Sequence, residues 1–428
     1  MKLIVEKTET LQGEIAIPGS KSHTIRGVII ASLAAGTSIL HRPLSSADTL
    51  AAVHACRMLG AEINTDDPLK WVIAGFGNNP KKPEGRINLE NSGTSLRLMS
   101  GVAAALCDFE IIFDGDESLQ TRPMQPLLKS FNELGAEALS EKNNGCCPVL
   151  IRGKMQGGKT EVSGVTSQFV SSLLLSCPLV SEDTEISVLK PNEVPYIAMT
   201  LQWLSEQGIR YEASSDFTRF KVFGGQSYHP FEKAIPADWS SAAFPLVAGA
   251  ITRSNILLKG LDPKDVQGDK AIVEYLRNMG ADIREETGGL RIIGAPLSGV
   301  TLDLNATPDA LPAMSVAGCF SSGTLTLVNV PQARIKETDR INVMAEELAK
   351  LGADIKEREE GLIIHQSALK GGKVRGHNDH RIVMALSLAG LIAQGKTEIT
   401  TAESIGVTFP GFVEMMKLLG AKFQIVKA

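Results

Sequence analysis

The sequence predicts an α/β protein of two domains, each built from three copies of one unit containing two helices and several short strands. Three observations carry this expectation. A segment of the type Leu-Gly-Ala-acid-Ile recurs six times, as MLGAEI, ELGAEA, EQGIRY, NMGADI, KLGADI and LLGAKF. Its glycines are Gly60, Gly135, Gly208, Gly280, Gly352 and Gly420, at successive intervals of 75, 73, 72, 72 and 68 residues. A second element, rich in Ala, Ser, Leu and Gly, lies earlier in each unit.

Each recurrent segment reads as a helix ended by a glycine C-cap and followed at once by a strand. KAIVEYLRNMG before Gly280 and NVMAEELAKLG before Gly352 place apolar residues at helical spacing. The small-residue runs, among them RGVIIASLAAGTSIL, SVAGCFSSGTLTLVN and VMALSLAGLIAQGKTEIT, read as a helix, a turn and a short strand. A helix apolar on nearly every face is one surrounded by other elements. Three units per domain use the whole length, and the proline-containing stretch KAIPADWSS near the midpoint carries the expected domain crossing.

Composition agrees. A chain of 428 residues is long for one core, and 43% hydrophobic with 21% charged residues leaves no room for long disorder. Aromatics at 5% against 40 glycines imply packing by small aliphatic side chains with many tight turns. A net charge of -5 gives no overall support for a nucleic-acid or anionic-membrane partner, so an anionic ligand must be gathered by a local basic site. The six cysteines show no metal-like spacing, and Cys107, Cys177 and Cys319 lie in apolar runs expected to hold reduced, buried thiols. Glu6, Lys7 and Glu9 interrupt any signal-like apolar run, and no stretch approaches 18 apolar residues. A cytoplasmic protein is expected.

The residues just before each small-residue helix are polar. They are Gly19-Ser20-Lys21-Ser22, Asn91-Ser92-Gly93-Thr94, Thr166-Ser167-Gln168, Asp238-Trp239-Ser240-Ser241, Pro308-Asp309-Ala310 and Asn378-Asp379-His380-Arg381. Capping alone accounts for their hydroxyls and carboxylates. It does not account for the cations beside them: Lys21, Arg26, Arg97 and Arg122 in the first half, Lys336, Arg340 and Arg381 in the second. A cation opposes the helix dipole at an N-terminus, whereas an anion held between the two satisfies both. GSKS lacks the order and upstream glycine of a P-loop. The histidines form no ligand spacing, so no metal is expected, and His380 is read as packing or hydrogen bonding. The densest chemistry is Arg334-Ile335-Lys336-Glu337-Thr338-Asp339-Arg340, five charges in seven residues. A solvated helix start is the bland reading. If the turn is already helical, Lys336 and Arg340 share a face, with the Glu337 carboxyl held among cations.

Across the whole chain PGSKS, NSGTSLR, SQF, DWSSA, PDA, RIKETDR and NDHR occur in this order. Together they resemble the signature motifs of the 5-enolpyruvylshikimate-3-phosphate synthase family. The resemblance implies a two-domain inside-out α/β barrel, each domain made of three βαβαββ repeats. Expected boundaries are residues 14–234 for the shikimate 3-phosphate side, and 1–13 plus 235–428 for the acid/base and phosphoenolpyruvate side. It implies transfer of the enolpyruvyl group of phosphoenolpyruvate to the 5-hydroxyl of shikimate 3-phosphate in the shikimate pathway to aromatic amino acids. No cofactor is implied, and a monomer acting on these two small molecules is expected.

Site roles follow from the resemblance position by position. Lys21, Ser22, Arg26, Thr166, Ser167, Gln168, Tyr196, Asp309 and Lys336 match residues that bind shikimate 3-phosphate. Lys21, Gly93, Thr94, Arg97, Arg122, Gln168, Glu337, Arg340, Asp379 and Arg381 match those on the phosphoenolpyruvate side. Lys21, Asp309 and Glu337 match the catalytic set. Four positions depart from the pattern. Val407 stands where a lysine is usual, Gln332 near a usual asparagine, Gln120 where a basic residue is common, and Glu193 where serine is common. Three alternatives remain: a UDP-N-acetylglucosamine enolpyruvyl transferase, a non-catalytic shikimate-phosphate binder, and a structural repeat scaffold. Ser22 and Glu117 oppose the first, which has asparagine and a reactive cysteine there; Val407 motivates the second; the clustered cations oppose the third.

Overall fold

The six repeat glycines all adopt the left-handed backbone, with φ from +70° at Gly208 to +106° at Gly60 and Gly135. This conformation ends a helix and turns the chain into a strand, and a Cβ disfavours it. The computed structural model describes residues 1–427. Two compact units result: Gly19–Ile235, and Met1–Pro18 together with the chain from Pro236 onward. The crossings fall at residues 18/19 and 235/236 rather than at the expected 13/14 and 234/235. The first shift has a clear cause: strand Gln12–Ala16 pairs in parallel with Asn255–Lys259, which ties residues 14–16 to the unit containing the C-terminal half.

In the Gly19–Ile235 unit, helices α1 (Lys21–Leu33), α3 (Gly93–Leu106) and α5 (Ser167–Ser176) are the small-residue ones. Helices α2 (Ala47–Met58), α4 (Gln125–Glu133) and α6 (Val194–Glu206) end at the repeat glycines. Every residue of α3 is buried, as a helix apolar on all sides requires. Three four-stranded sheets share one plan. The strand after each odd-numbered helix, such as Thr37–His41, runs antiparallel to the second strand of the hairpin, here Lys70–Ala74. Along that hairpin strand Trp71 and Ile73 are buried in the two-residue alternation of a one-sided sheet. A parallel edge strand completes each sheet. For the first repeat it is Glu232–Ala234, from the end of the unit, so the last strand closes onto the first repeat.

The second unit repeats the plan with α7 (Trp239–Ile251), α9 (Leu311–Cys319) and α11 (His380–Ile392) packed on one another. Helices α8 (Ile272–Asn278), α10 (Arg340–Lys350) and α12 (Phe412–Leu418) again precede the glycines. Strand Gln12–Ala16 supplies the parallel edge of its first sheet. In its third sheet the N-terminal strand Lys2–Glu6 lies between Lys396–Thr400 and Lys422–Val426, antiparallel to both. Within each unit the odd-numbered helices are interior and carry the sheets outside them.

Small residues let these interior helices meet closely. A Cβ added at Gly101 on α3 would lie 2.4 Å from Ser172 Oγ and 3.0 Å from the Ser172 carbonyl oxygen on α5. That hydroxyl donates to the Arg97 carbonyl at 2.6 Å. Gly101→Ala is therefore expected to destabilise the protein by about 1–3 kcal/mol through overpacking, read as a lower urea midpoint. Cys56, Cys107, Cys177 and Cys319 are buried free thiols, and burial pushes each up to about 12, which leaves them unreactive at neutral pH. Among the described residues no helix is long and apolar enough to cross a membrane.

Candidate active-site residues in each unit

Five of the six polar loops cap their helices. Ser20, Ser92, Thr166, Asp238 and Asp379 each accept a backbone N–H at the start of α1, α3, α5, α7 and α11. The sixth differs. Pro308–Ala310 is a single 3-10 turn in which Ala310 holds the cap position of α9. The carboxylate of Asp309 is thereby free to face other side chains.

Those side chains are arginines. The Arg340 guanidinium, 1% exposed, donates from Nη1 to Asp309 Oδ1 at 2.7 Å and from Nε to Asp379 Oδ2 at 2.7 Å. Its Nη2 donates to Glu337 and, at 3.2 Å, to Asp379 Oδ1. Arg381 Nη2 lies 3.0 Å from Asp309 Oδ2. Burial pushes the Asp309 carboxyl upward, but the charges of Arg381, Lys336 and Arg340 outweigh it and hold the group well below the usual carboxylate range. Burial likewise opposes the charge on Arg340, and the carboxylates of Asp379, Glu337 and Asp309 more than restore it. Three cations and three carboxylates thus meet in this unit, so the expected basic trap is here a charge-balanced array.

The charge run divides by role. Arg334 donates to Asp339 at 2.7 Å and pairs with Glu357 at 2.8 Å, while Asp339 caps α10 through the Asn342 N–H. These two are structural. The turn is not yet helical there: after the 3-10 turn Pro331–Ile335 the chain is irregular until α10 begins at Arg340. Lys336 and Arg340 therefore share no helix face, although the charges of both act on Asp309. Behind the array, buried Glu347 on α10 pairs with His377 at 2.7 Å and accepts the Arg375 N–H at 3.0 Å. It anchors the loop that delivers Asp379 and Arg381.

In the Gly19–Ile235 unit, Lys21 Nζ lies 3.0 Å from Asp48 Oδ2. Arg26 is buried, and its hydrogen-bond partners are neutral oxygens: Thr200 Oγ1 at 2.9 Å, the Ser22 carbonyl at 3.1 Å, and Ser171 Oγ and the Tyr196 carbonyl at 3.3 Å. Burial without a carboxylate partner pushes its guanidinium down to about 10, still charged at neutral pH. Gln168 bridges two helix starts, accepting from Arg97 Nη1 at 2.6 Å and donating to Thr94 Oγ1 at 3.2 Å. Arg122 donates to Asn91 Oδ1 at 2.8 Å and Ser118 Oγ at 3.0 Å.

Gly93 sits where these arginines converge, since an added Cβ would lie 2.7 Å from Arg97 Nη1 and 3.1 Å from Arg122 Nη1. Gly93→Ala is expected to displace both guanidiniums and to raise the KM for an anion held by them more than it lowers kcat, with little change in unfolding midpoint.

Three departures acquire a local meaning. Gln120 accepts from Lys142 Nζ at 2.5 Å, so a cation stands beside the position where a basic residue is common. Gln332 spends its amide on the Asn305 carbonyl at 2.7 Å. Val407 ends a 3-10 turn, half-buried and without charge. Asp48, Thr200 and Ser171 were not anticipated. Asp48 is an acid in the first turn of α2, a place where acids are ordinarily read as dipole partners.

Fold and site together define a class: an α/β protein of two three-repeat units whose interior helices begin at arginine-rich, acid-bearing loops. Residues 5–416 match the family of EPSP synthase (3-phosphoshikimate 1-carboxyvinyltransferase). The chain is 52% identical over 421 residues to the 3-phosphoshikimate 1-carboxyvinyltransferase of Acetivibrio thermocellus, covering 98% of this chain and 99% of that one. It is 47% identical to that of Ruminiclostridium cellulolyticum over the full length of both. EPSP synthase from Acinetobacter baumannii superposes over 100% of both chains with a TM-score of 0.84 at 28% identity. The chain belongs to the EPSP synthase family.

Proposed function

We propose that this protein transfers the enolpyruvyl group of phosphoenolpyruvate to the 5-hydroxyl of shikimate 3-phosphate, releasing phosphate. The observation that carries the reading is Asp309, an ionised carboxylate held among Arg340, Arg381 and Lys336 with Glu337 on the same guanidinium. Such an array can take a proton from a hydroxyl while its cations hold anionic groups. The similarity to named 3-phosphoshikimate 1-carboxyvinyltransferases supports the same chemistry.

In this reading the methylene carbon of phosphoenolpyruvate gains a proton from Glu337 or Lys21, and the neighbouring carbon takes on cationic character. The 5-hydroxyl oxygen attacks that carbon as Asp309 accepts its proton. The C–O bond to phosphate in the tetrahedral adduct then breaks, phosphate leaves with the bonding pair, and a methyl proton passes to the group that had supplied one, giving the enol ether. Lys21, Ser22, Arg26, Thr166, Ser167, Gln168, Tyr196, Asp309 and Lys336 would bind shikimate 3-phosphate. Gly93, Thr94, Arg97, Arg122, Arg340, Asp379 and Arg381 would serve phosphoenolpyruvate, with Lys21, Gln168 and Glu337. Arginine suits both ligands because its planar fork meets carboxylate and phosphate in paired hydrogen bonds. Against a UDP-sugar specificity stand Ser22 and Glu117. A cytoplasmic monomer without a cofactor completes the proposal.

The mechanism is tested by running the reaction in D2O and following the vinyl methylene by NMR. Protonation at that carbon followed by loss of a methyl proton places deuterium there. A product with no deuterium would rule out addition and elimination.

A further inference from the structure

The first helical residues of α5 hold a carboxylate that belongs to another helix. Glu193 is buried and stands at the N-cap position of α6, yet its side chain does not cap that helix. Instead its Oε2 accepts from Ser167 Oγ at 2.8 Å, the Ser167 backbone N–H at 3.1 Å and Thr166 Oγ1 at 3.2 Å. A helix N-terminus with two hydroxyls and an N–H directed at one point is suited to an anionic oxygen, and here the chain supplies that oxygen itself.

Two further observations bear on the surroundings of this cradle. Arg26 is tied to the same two helices, by Ser171 Oγ on α5 and the Tyr196 carbonyl on α6, and its partners are neutral oxygens. A buried cation among neutral acceptors gains from an anion brought beside it. The backbone of Glu193 is left-handed, with φ +53° and ψ +38°, a conformation costly for a residue with a Cβ. Its loop is pinned, since the Asn192 side chain donates to the Gly164 carbonyl at 2.9 Å and the Lys190 carbonyl at 3.2 Å. Withdrawal of the carboxylate is thus a rotation of the Glu193 side chain, with the loop in place.

We propose that Glu193 is an internal surrogate anion, which fills the Thr166–Ser167 cradle in the free protein and must rotate out before the phosphate group of shikimate 3-phosphate can enter. The inference rests on the proposed function for the identity of that ligand, and not for the presence of the cradle. A ligand that must wait for an occupied cradle to open binds with an apparent affinity reduced by the fraction of time it is open. Glu193 therefore sets the affinity for the phosphorylated substrate and protects the cradle from free phosphate.

The test titrates the intact wild-type protein, Glu193→Ser and the isosteric Glu193→Gln with shikimate 3-phosphate alone by calorimetry. Thermal unfolding of each is followed with inorganic phosphate. Glu193→Ser is expected to bind shikimate 3-phosphate about ten-fold more tightly than wild type, with Glu193→Gln between them. Its KM for that substrate should fall in step while the KM for phosphoenolpyruvate stays within about two-fold. Inorganic phosphate should raise the unfolding temperature of Glu193→Ser and leave wild type unchanged. Equal or weaker binding of shikimate 3-phosphate by Glu193→Ser, or a phosphate response no larger than that of wild type, overturns the proposal. Failure of the wild type to turn over, with these differences intact, would remove the proposed reaction and leave the surrogate anion standing.

Discussion

Asp309→Asn is expected to lower kcat by about two to four orders of magnitude, the usual worth of a positioned general base. Asparagine keeps the shape and one acceptor oxygen for Arg340 but cannot take up a proton. Because Arg340 also holds Asp379 and Glu337, the variant should stay folded, and the KM for either substrate should change far less than kcat. The pH dependence follows from the direction of the Asp309 shift. A carboxyl held below its unfolded value contributes stability that is present above the ordinary value of about 3.9 and is lost as pH falls through its lower folded value. At pH 5 and above Asp309 stays ionised, so any acid limb of turnover in that range belongs to another group. A limb near neutral pH that vanishes in Asp309→Asn would contradict the assignment.

The largest stability effect is expected at Asp379. Its carboxylate takes two hydrogen bonds from Arg340 and one from the Arg381 N–H at 2.8 Å, and the Arg340–Asp379 pair is buried at 1% and 0% exposure. Removing one partner of such a pair costs about 3–5 kcal/mol, because the remaining charge keeps its desolvation penalty. Asp379→Ala also removes the cap of α11, worth about 1 kcal/mol more. Asp379→Asn keeps a neutral acceptor and the cap, and should lose less than half as much. Urea unfolding of the two variants measures this. Equal midpoints for Asp379→Ala and wild type would show that the array stores no such energy.

Much of the fold was legible because its markers are local. A glycine in left-handed backbone after an amphipathic helix is a short-range signal, and six such glycines gave six helix ends. The caps at Ser20, Ser92, Thr166, Asp238 and Asp379 were legible for the same reason. What escaped depends on distant partners. Nothing in Gln12–Ala16 announces that it pairs with Asn255–Lys259, nor in Lys2–Glu6 that it enters a sheet with Lys422–Val426. The charge run from Arg334 to Arg340 left open where the helix begins, because its charges alone do not mark the cap; Asp339 caps the helix, which starts at Arg340. Asp48 beside Lys21 and Glu193 at the start of α5 were invisible for a related reason, since each carboxylate serves a helix other than its own.

The central claim is that these residues carry enolpyruvyl transfer despite Val407. Phosphate release on mixing the protein with shikimate 3-phosphate and phosphoenolpyruvate, with each omitted in turn, tests it most directly. The expected result is sustained release that requires both substrates, which would show that the uncharged Val407 is tolerated. Absence of release from protein that still binds shikimate 3-phosphate would contradict the claim and leave a binder that has lost turnover.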